Sequence, residues 1–430
     1  MACVAHQRLR SIWLSEHDNL RKGTIGRMSV TPREPRPLNI ELLRAHTPGC
    51  AKRVHLNNAG AGLLSKQTLD TMIEHLRLEA TLGGYEAAHF AGSAIESTYA
   101  NLAELIGGRS DEIALFDNAT HAWNAAFYSM SFQLGDRILT GRAEYGSNVL
   151  AYLQVAQRTG AEVVVVPNDE SGQIDTEILR SRIDDHTKLI GVSHIPTSGG
   201  LINPVSEIGR IARAASVPFL LDATQSVGQF PVDVHEIGCD MLSATGRKFL
   251  RGPRGTGFLW VRTAFLEQLA PSVAEIGSAT WDGQRGFTWQ AGAQRFGTWE
   301  KNYVAVLGLS AAVRQALDLG LAAIGVRAIS LGATLRDRLS ELPGVTTHDL
   351  GLNRCAIVTA QVEGVESLVV ARALASERIN VTTTVPNHTQ FDTEERGLPP
   401  LVRLSPHYYN TEEEIDTVVD VMARVARPQG

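Results

Sequence analysis

Short apolar runs alternate along the first part of the chain with segments whose apolar residues recur at helical spacing. The apolar runs predict buried strands at 112–116, 137–140, 162–166, 188–193 and 217–221. The helical spacing predicts amphipathic helices at 66–82, 95–105 and 174–182, and the segment at 83–88, which opens with two glycines, is predicted to break the first of these helices. Because strands that alternate with helices build parallel sheets, we predict an α/β fold whose mostly parallel sheet is covered on both faces.

The pattern changes after Val261. Residues 271–302 are irregular, and 303–340 is a long helical segment. Further strands are predicted at 356–361, 379–384 and 401–405, with helices at 367–376 and 412–423. We therefore predict a large α/β domain at 53–302 and a smaller α+β domain at 303–430, with 37–52 joining the smaller one.

The composition is typical of a globular enzyme, with 43% hydrophobic and 20% charged residues. A net charge of −6 argues against nucleic acid or an anionic membrane as the main partner, and no run approaches the ~18 apolar residues of a membrane helix. The four cysteines lack CxxC or zinc-ligand spacing, so no disulfide framework or metal site is predicted and a reducing cytoplasm is expected. For the basic segment 1–36 we expect a disordered extension, with a start site upstream of a true one at Met28, or a transit peptide, as alternatives.

A lysine and an aspartate are the strongest candidates for chemistry. The strand predicted at 217–221 ends at Asp222, and the later run 243–250 contains Lys248 beside Arg247. Ligands of open α/β sheets bind at the carboxyl ends of the strands. An amine becomes a covalent catalyst when burial and a neighbouring cation lower its pKa. A lysine that can form an imine, together with an acid that can keep a pyridine nitrogen protonated, is what pyridoxal phosphate (PLP) requires.

Polar loops after other predicted strands add candidate ligand contacts. The turn at 117–124 opens a helix and contains Thr120, so its N–H groups and hydroxyl suit a phosphate, although simple N-capping is the alternative. Tyr145 follows the strand at 137–140 and has a flat ring that can stack on a flat cofactor. A further polar loop follows the strand at 188–193.

In this order, the motifs resemble the class V aminotransferase family of fold-type I PLP enzymes. The resemblance depends on Asp-Ala-Thr-Gln at 222–225, on Thr-Gly-Arg-Lys at 245–248 followed by Gly-Pro-x-Gly-x-Gly, and on Val-Arg-Leu-Ser at 402–405. The family includes cysteine desulfurases, isopenicillin N epimerase-like proteins, kynureninases and the C–S lyase of ergothioneine biosynthesis. The resemblance implies a PLP cofactor, an amino-acid substrate and a homodimer with active sites at its interface.

The resemblance also implies a role for each cofactor residue. Lys248 bonds to the cofactor's aldehyde, Asp222 pairs with the ring nitrogen, and Gln225 contacts the phenolic oxygen. Tyr145 stacks on the ring, where desulfurases have a histidine, and Thr197, with Ser198 as a less certain neighbour, lies near the phenolic oxygen. Phosphate contacts are implied for Thr120, the backbone of His121, Thr245 and Arg247.

For the substrate, the resemblance implies contacts from Arg403, Asn58 and Ala59. The planar guanidinium of Arg403 suits the two oxygens of an α-carboxylate. Taken alone, an arginine ahead of a C-terminal helix is more often a surface or salt-bridge residue. Only the ordered set of motifs favours the carboxylate role.

Two positions depart from the family pattern. The loop at 382–389 contains no cysteine, whereas desulfurases carry their persulfide-forming cysteine there. Sulfur transfer through a cysteine persulfide is therefore not expected, and Cys355, in a predicted strand, is interpreted as a buried structural thiol. Glu300 lies where the family often has a glycine-threonine pair that reaches the neighbouring subunit's phosphate, and an ionised carboxylate cannot donate a hydrogen bond. Asn302 or Tyr303 is the alternative contact.

We predict β-elimination that cleaves a C–S bond in a cysteine conjugate or sulfoxide. The missing persulfide cysteine, the carboxylate arginine and the Gly-Gly-Tyr-x-Ala-Ala segment at 83–88, which is similar to the ergothioneine-pathway lyase, favour this reaction. Transamination and epimerisation are the alternatives, because both begin with the same loss of the Cα proton. A PLP-fold protein that binds without catalysis is a more distant alternative, which the intact Asp222 and Lys248 disfavour.

Overall fold

The structure is a computed structural model that describes residues 37–283 and 285–427. The extension predicted at 1–36 lies outside these ranges. The strands are β1 (Val54–His55), β2 (Ile113–Phe116), β3 (Arg137–Gly141), β4 (Glu162–Val166), β5 (Thr187–Ser193), β6 (Phe219–Asp222), β7 (Met241–Thr245), β8 (Gly257–Val261), β9 (Ala279–Trp281), β10 (Phe287–Trp289), β11 (Val345–Thr347), β12 (Val358–Val362), β13 (Ile379–Asn380), β14 (Thr382–Thr383) and β15 (Val402–Leu404). The α-helices are α1 (Ile40–Ala45), α2 (Lys66–Leu82), α3 (Gly84–Phe90), α4 (Gly92–Ile106), α5 (Ala119–Phe127), α6 (Gly146–Thr159), α7 (Thr176–Arg182), α8 (Val205–Ala214), α9 (Val234–Ile237), α10 (Tyr303–Leu319), α11 (Leu321–Ser340), α12 (Ser367–Ser376), α13 (Gln390–Glu395) and α14 (Glu412–Ala426).

The main sheet has seven strands in the order β2-β8-β7-β6-β5-β3-β4. The strands from β7 through β6, β5 and β3 to β4 pair in parallel. At the other edge, β8 runs antiparallel to both β7 and β2. Because parallel neighbours end at the same edge, the residues that follow β3, β5, β6 and β7 come close together.

Apolar side chains alternate between the two faces of this sheet. On β6, Leu220 and Leu221 belong to different buried clusters, and Leu189 and Ile190 divide in the same way on β5. The cluster of Leu221 includes side chains of α4, α8 and α10, whereas the cluster of Leu220 includes those of α5 and α6. Helices therefore cover both faces, and the predicted fold class, an α/β fold with a mostly parallel sheet, is confirmed.

A four-stranded antiparallel sheet in the order β11-β12-β15-β14 lies towards the C-terminal end of the chain. Its buried face packs against apolar side chains of α11, α12 and α14. Strand β1 comes from the opposite end of the described chain and pairs in parallel with β13. The described residues from Pro37 onward form one compact unit, and the domain boundaries around 302 stay a prediction.

Two segments differ from the expected pattern. The strand predicted at 379–384 is divided into β13 and β14, because β13 pairs with β1 whereas β14 pairs with β15. The segment at 83–88 is mostly helical, since only Gly83 interrupts the helices and α3 begins at Gly84. Gly83 has a φ of 102°, which glycine adopts readily because it has no Cβ.

Helices α10 and α11 form a pair bent by 85°. Gly320 lies between them with a φ of 85°. Within the described ranges no single helix has the length and apolar character needed to cross a membrane, although this bent pair meets that test when its helices are taken together.

Candidate active site

A cavity of about 400 Å³ lies at the carboxyl ends of β3, β5, β6 and β7. Every residue predicted to contact the cofactor lines it, namely Thr120, His121, Tyr145, Thr197, Asp222, Gln225, Thr245, Arg247 and Lys248. These residues come from five separate stretches of sequence, and the parallel sheet brings them together. The structure thus assembles the predicted set in one place, while the role of each member stays a prediction.

Lys248 lies in the turn after β7 and is 7% exposed. Burial, and then the charges of Arg247 and Arg403, lower its pKa from 10.5 to about 7, while the charge of Asp222 acts in the opposite direction. A substantial fraction of the amine is therefore neutral near pH 7. A neutral amine can act as a nucleophile and as a base.

Asp222 ends β6, and two donors hold its carboxylate. Oδ1 accepts the backbone N–H of Thr224 at 2.9 Å. Oδ2 accepts from Nδ2 of Asn148 at 3.1 Å. The side chain is buried, and each of its two oxygens accepts one hydrogen bond. The carboxylate is therefore oriented by its surroundings before any ligand binds.

Gln225 and Arg403 both contact Thr197. Nε2 of Gln225 donates to Oγ1 of Thr197 at 3.2 Å and to the carbonyl of Ala59 at 3.2 Å. Nη1 of Arg403 donates to the carbonyl and to Oγ1 of Thr197, at 2.8 and 3.1 Å. Oε1 of Gln225 and Nε of Arg403 are buried and have no hydrogen-bond partner within the described part of the chain. Such atoms are rare in folded proteins unless they meet a ligand or water.

The predicted substrate contacts Asn58 and Ala59 lie behind these groups. Asn58 is fully buried, and its Nδ2 donates to the carbonyl of Ser405 at 2.8 Å. The hydroxyl of Tyr409 donates to Oδ1 of Asn58. Ala59 meets the site through its carbonyl, which accepts from Gln225. The Asn58 side chain therefore joins β1 to the segment around β15, and its contact with substrate stays a prediction.

The first turn of α5 is the candidate phosphate site. Asn118 caps this helix, and its Oδ1 accepts the backbone N–H of His121 at 2.9 Å. A phosphate contact from the His121 N–H therefore requires the Asn118 side chain to turn away. Gly257 of β8 permits the close approach of this turn, because an added Cβ would lie 2.5 Å from the carbonyl carbon of Asn118.

The other two predicted phosphate contacts also have protein partners. Oγ1 of Thr245 donates to the carbonyl of Thr256 at 2.9 Å. Nη1 of Arg247 donates to the carbonyl of Gly60. Arg247 has further N–H groups for an anion, since a guanidinium carries five. Arg247 is thus the stronger of these two candidates for a phosphate contact.

Sequence reasoning missed Glu144, Asn148 and Ser193. Asn148 and Ser193 line the cavity, and Glu144 lies buried behind them. Glu144 and Asn148 are four residues apart at the start of α6, and a carboxylate and an amide at that spacing often contact each other. This spacing is the feature of the sequence from which the contact between Glu144 and Asn148 could have been predicted.

The three cysteines in the described part of the chain are poorly placed for sulfur chemistry. Cys355 is fully buried, and burial raises its pKa to about 12. Cys239 is also fully buried, and burial raises its pKa well above the ordinary range. Cys50 is partly buried, with a pKa raised to about 11. In the loop at 382–389, the ring of His388 lies 6.3 Å from the ring of Tyr145.

A second cavity of about 540 Å³ adjoins the first at His121. Glu300, Lys301 and Asn302 line it together with Thr298. The cross-subunit phosphate contact expected in this region involves a second chain and stays a prediction.

Comparisons with known proteins agree with this geometry. The chain is 28% identical over 396 residues to a probable cysteine desulfurase of Methanothermobacter thermautotrophicus, covering 90% of this chain and 96% of that protein. The apo structure of a cysteine desulfurase from Thermococcus onnurineus NA1 matches with a TM-score of 0.84 and 25% identity, covering 92% of this chain and 99% of that one. The cystine C-S lyase C-DES, solved with its product cysteine persulfide, matches in fold with a TM-score of 0.79 and 23% identity, covering 88% and 99%.

The fold and the lysine–aspartate cavity define a fold-type I α/β enzyme architecture. The family model for Aminotransferase class-V matches residues 54–418, and the chain belongs to that family. The predicted resemblance is confirmed. PLP is the cofactor of this family, so the predicted cofactor is confirmed.

Proposed function

We propose that the protein is a PLP-dependent lyase that eliminates a sulfur group from Cβ of a cysteine-derived amino acid. The observation that carries the proposal is Lys248, a buried amine with a pKa lowered to about 7, in one cavity with the carboxylate of Asp222. A lysine and an aspartate at the carboxyl ends of neighbouring parallel strands suit an aldehyde and a pyridine nitrogen of one ligand. Curated relatives named as cysteine desulfurases support a sulfur amino acid as the substrate.

The described residues fit PLP. Lys248 would hold the aldehyde, Asp222 the ring nitrogen, and the first turn of α5 with Arg247 the phosphate. Gln225 would meet the phenolic oxygen by turning its amide, whose Oε1 is buried and has no partner in residues 37–283 and 285–427. When bound, PLP supplies an electron sink that stabilises negative charge at the substrate Cα.

The chain's own residues then bind the substrate and move its protons. Arg403 is buried, and Thr197 holds its Nη1 while its Nε has no partner among the described residues, so its guanidinium is oriented for a carboxylate. The amine of Lys248, with a pKa near neutrality, takes the Cα proton as a general base. It can return a proton to a leaving group after accepting one.

The predicted outcome is elimination rather than sulfur transfer to the protein. No cysteine lies in the loop at 382–389. The thiols of Cys355 and Cys239 are buried with raised pKa values, which disfavours the thiolate that sulfur transfer requires. Elimination from an S-substituted cysteine breaks the Cβ–S bond and the Cα–H bond, and releases a thiol. The enamine that remains takes up water and yields pyruvate and ammonia.

The test incubates the PLP-loaded protein with a panel of S-substituted cysteines, cystine and cysteine. We expect equal amounts of pyruvate, ammonia and released thiol or persulfide. Lys248→Ala should abolish all three products, whereas Lys66→Ala, at an exposed lysine on α2, should leave them unchanged. Alanine with sulfur left on the protein would contradict the proposal in favour of desulfurase chemistry. Pyridoxamine phosphate without pyruvate would favour an aminotransferase, and racemised substrate alone would favour an epimerase.

A cytoplasmic homodimer is the assembly that we propose for this enzyme. Large apolar side chains are exposed on the described surface, including Tyr85, Trp281, Phe287 and Trp299. Apolar aromatic side chains are enriched where protein surfaces meet. Sedimentation of the PLP-loaded protein at micromolar concentration would show a dimer, and a monomer at that concentration would contradict this part of the proposal.

A further inference from the structure

Glu144 is a buried acid for which the proposed reaction has no role. It follows β3 and is 2% exposed. Its Oε1 accepts from the backbone N–H of Tyr145 at 2.9 Å, from Nδ2 of Asn148 at 2.8 Å and from Oγ of Ser193 at 2.7 Å. Its Oε2 accepts the backbone N–H of Ser193 at 2.7 Å and the hydroxyl of Thr140 at 3.4 Å. Five neutral donors therefore converge on one buried carboxylate.

Asn148 links Glu144 to Asp222. The same Nδ2 that donates to Glu144 lies 3.1 Å from Oδ2 of Asp222. An amide NH₂ has two hydrogens, so one can point to each carboxylate. If the amide were turned over, its oxygen would face two carboxylates. The bond to Glu144 thus fixes the orientation in which Asn148 donates to Asp222.

The arrangement places two acidic groups near each other in a buried site. Burial, followed by the charge of Asp222, raises the pKa of Glu144 to about 7, while the bonds from Ser193, Asn148 and Tyr145 act in the opposite direction. The hydroxyl of Tyr152 also faces Glu144. Among the described residues, the hydrogen-bond donors to Glu144 and Asp222 are all neutral. A cationic ring nitrogen at Asp222 would reduce the repulsion between the two carboxylates.

We propose that Glu144 is a positioning residue that acts through Asn148 on Asp222, and that it strengthens the preference of the site for a protonated ring nitrogen. The inference rests on the proposed function, because it needs PLP with its nitrogen at Asp222. The proposal assigns to Glu144 an effect on one atom of the cofactor, the ring nitrogen. Substitution of Glu144 should therefore leave the contacts of the aldehyde and the phosphate unchanged.

The test compares two ligands that differ only at that atom. Apo protein is titrated at pH 8 with PLP and with 1-deaza-pyridoxal phosphate, in which C–H replaces the ring nitrogen, and protein fluorescence reports both affinities. We expect the wild type to bind PLP more tightly by about tenfold or more, the size expected for a charged hydrogen bond. In Glu144→Gln this ratio should fall by about threefold or more, with deaza-ligand affinity almost unchanged. Glu170→Gln, at an exposed acid, should keep the wild-type ratio.

Each outcome is informative. Equal weakening of both ligands in Glu144→Gln, with the ratio unchanged, would show a merely structural role and overturn the inference. If the wild type binds neither ligand, the proposed function fails instead. Should Glu144→Gln not fold, as judged from its melting temperature, Ser193→Ala removes one of the five donors and keeps the backbone N–H bond to Glu144. An altered ratio in Ser193→Ala would support the inference, and an unaltered ratio would count against it.

Discussion

The pH dependence of cofactor attachment is the most direct test of the site. In the proposed mechanism PLP attaches to the neutral amine of Lys248, whose pKa is lowered from 10.5 to about 7. At pH 7 about half of such an amine is neutral, against roughly 0.03% of an ordinary lysine, which is an enrichment of about 1,500-fold. Rapid mixing of apo protein with PLP, followed by visible absorbance, should give a rate that levels off above about pH 8.

Arg247 provides the matched perturbation. Burial is the largest cause of the lowered pKa of Lys248, and the charge of Arg247 is the next largest. Arg247→Gln should therefore raise the pKa and move the inflection of the profile to higher pH. The amine of a free lysine derivative, mixed with PLP in the same buffers, corrects for titration of the cofactor itself. A wild-type rate that climbs without levelling off to about pH 10 would refute the argument, since it would indicate an ordinary lysine.

Three further predictions concern the substrate, the phosphate and the cysteines. Arg403→Lys replaces the planar guanidinium with an ammonium group, so KM for the amino acid should rise by about 10- to 100-fold with a smaller change in kcat. Steady-state pyruvate release measures both constants. Gly257→Ala places a Cβ 2.5 Å from the carbonyl carbon of Asn118, so the affinity for PLP should fall by about tenfold. Gly84→Ala is the control, because no atom lies within 4 Å of its new Cβ, and it should bind PLP normally. Cys355→Ala should retain lyase activity, and its loss would point to a sulfur-carrying thiol.

The elements of the fold could largely be predicted from the order of residues. Strand β6 is apolar up to its final residue because both of its faces are buried, and this pattern is visible along the chain. Asp222 stands out because it follows an apolar run, and Lys248 stands out because it lies beside Arg247 among small and apolar residues. The helix at 84–90 was missed because two adjacent glycines indicate a turn, and only the backbone shows that Gly83 alone provides it.

Contacts between distant segments were decided by tertiary structure. The hydrogen bond from Arg403 to Thr197 joins residues 206 positions apart in sequence. Strand β1 pairs with β13, which lies near the other end of the chain. The arrangement of Glu144, Asn148 and Asp222 likewise depends on the packing of β3, α6 and β6. Local sequence determines which residues are buried and how they are spaced, because buried positions follow the periodicity of the helix or strand that contains them. Which buried donor meets which acceptor depends on the close packing of elements far apart in sequence, and periodicity carries no information about it.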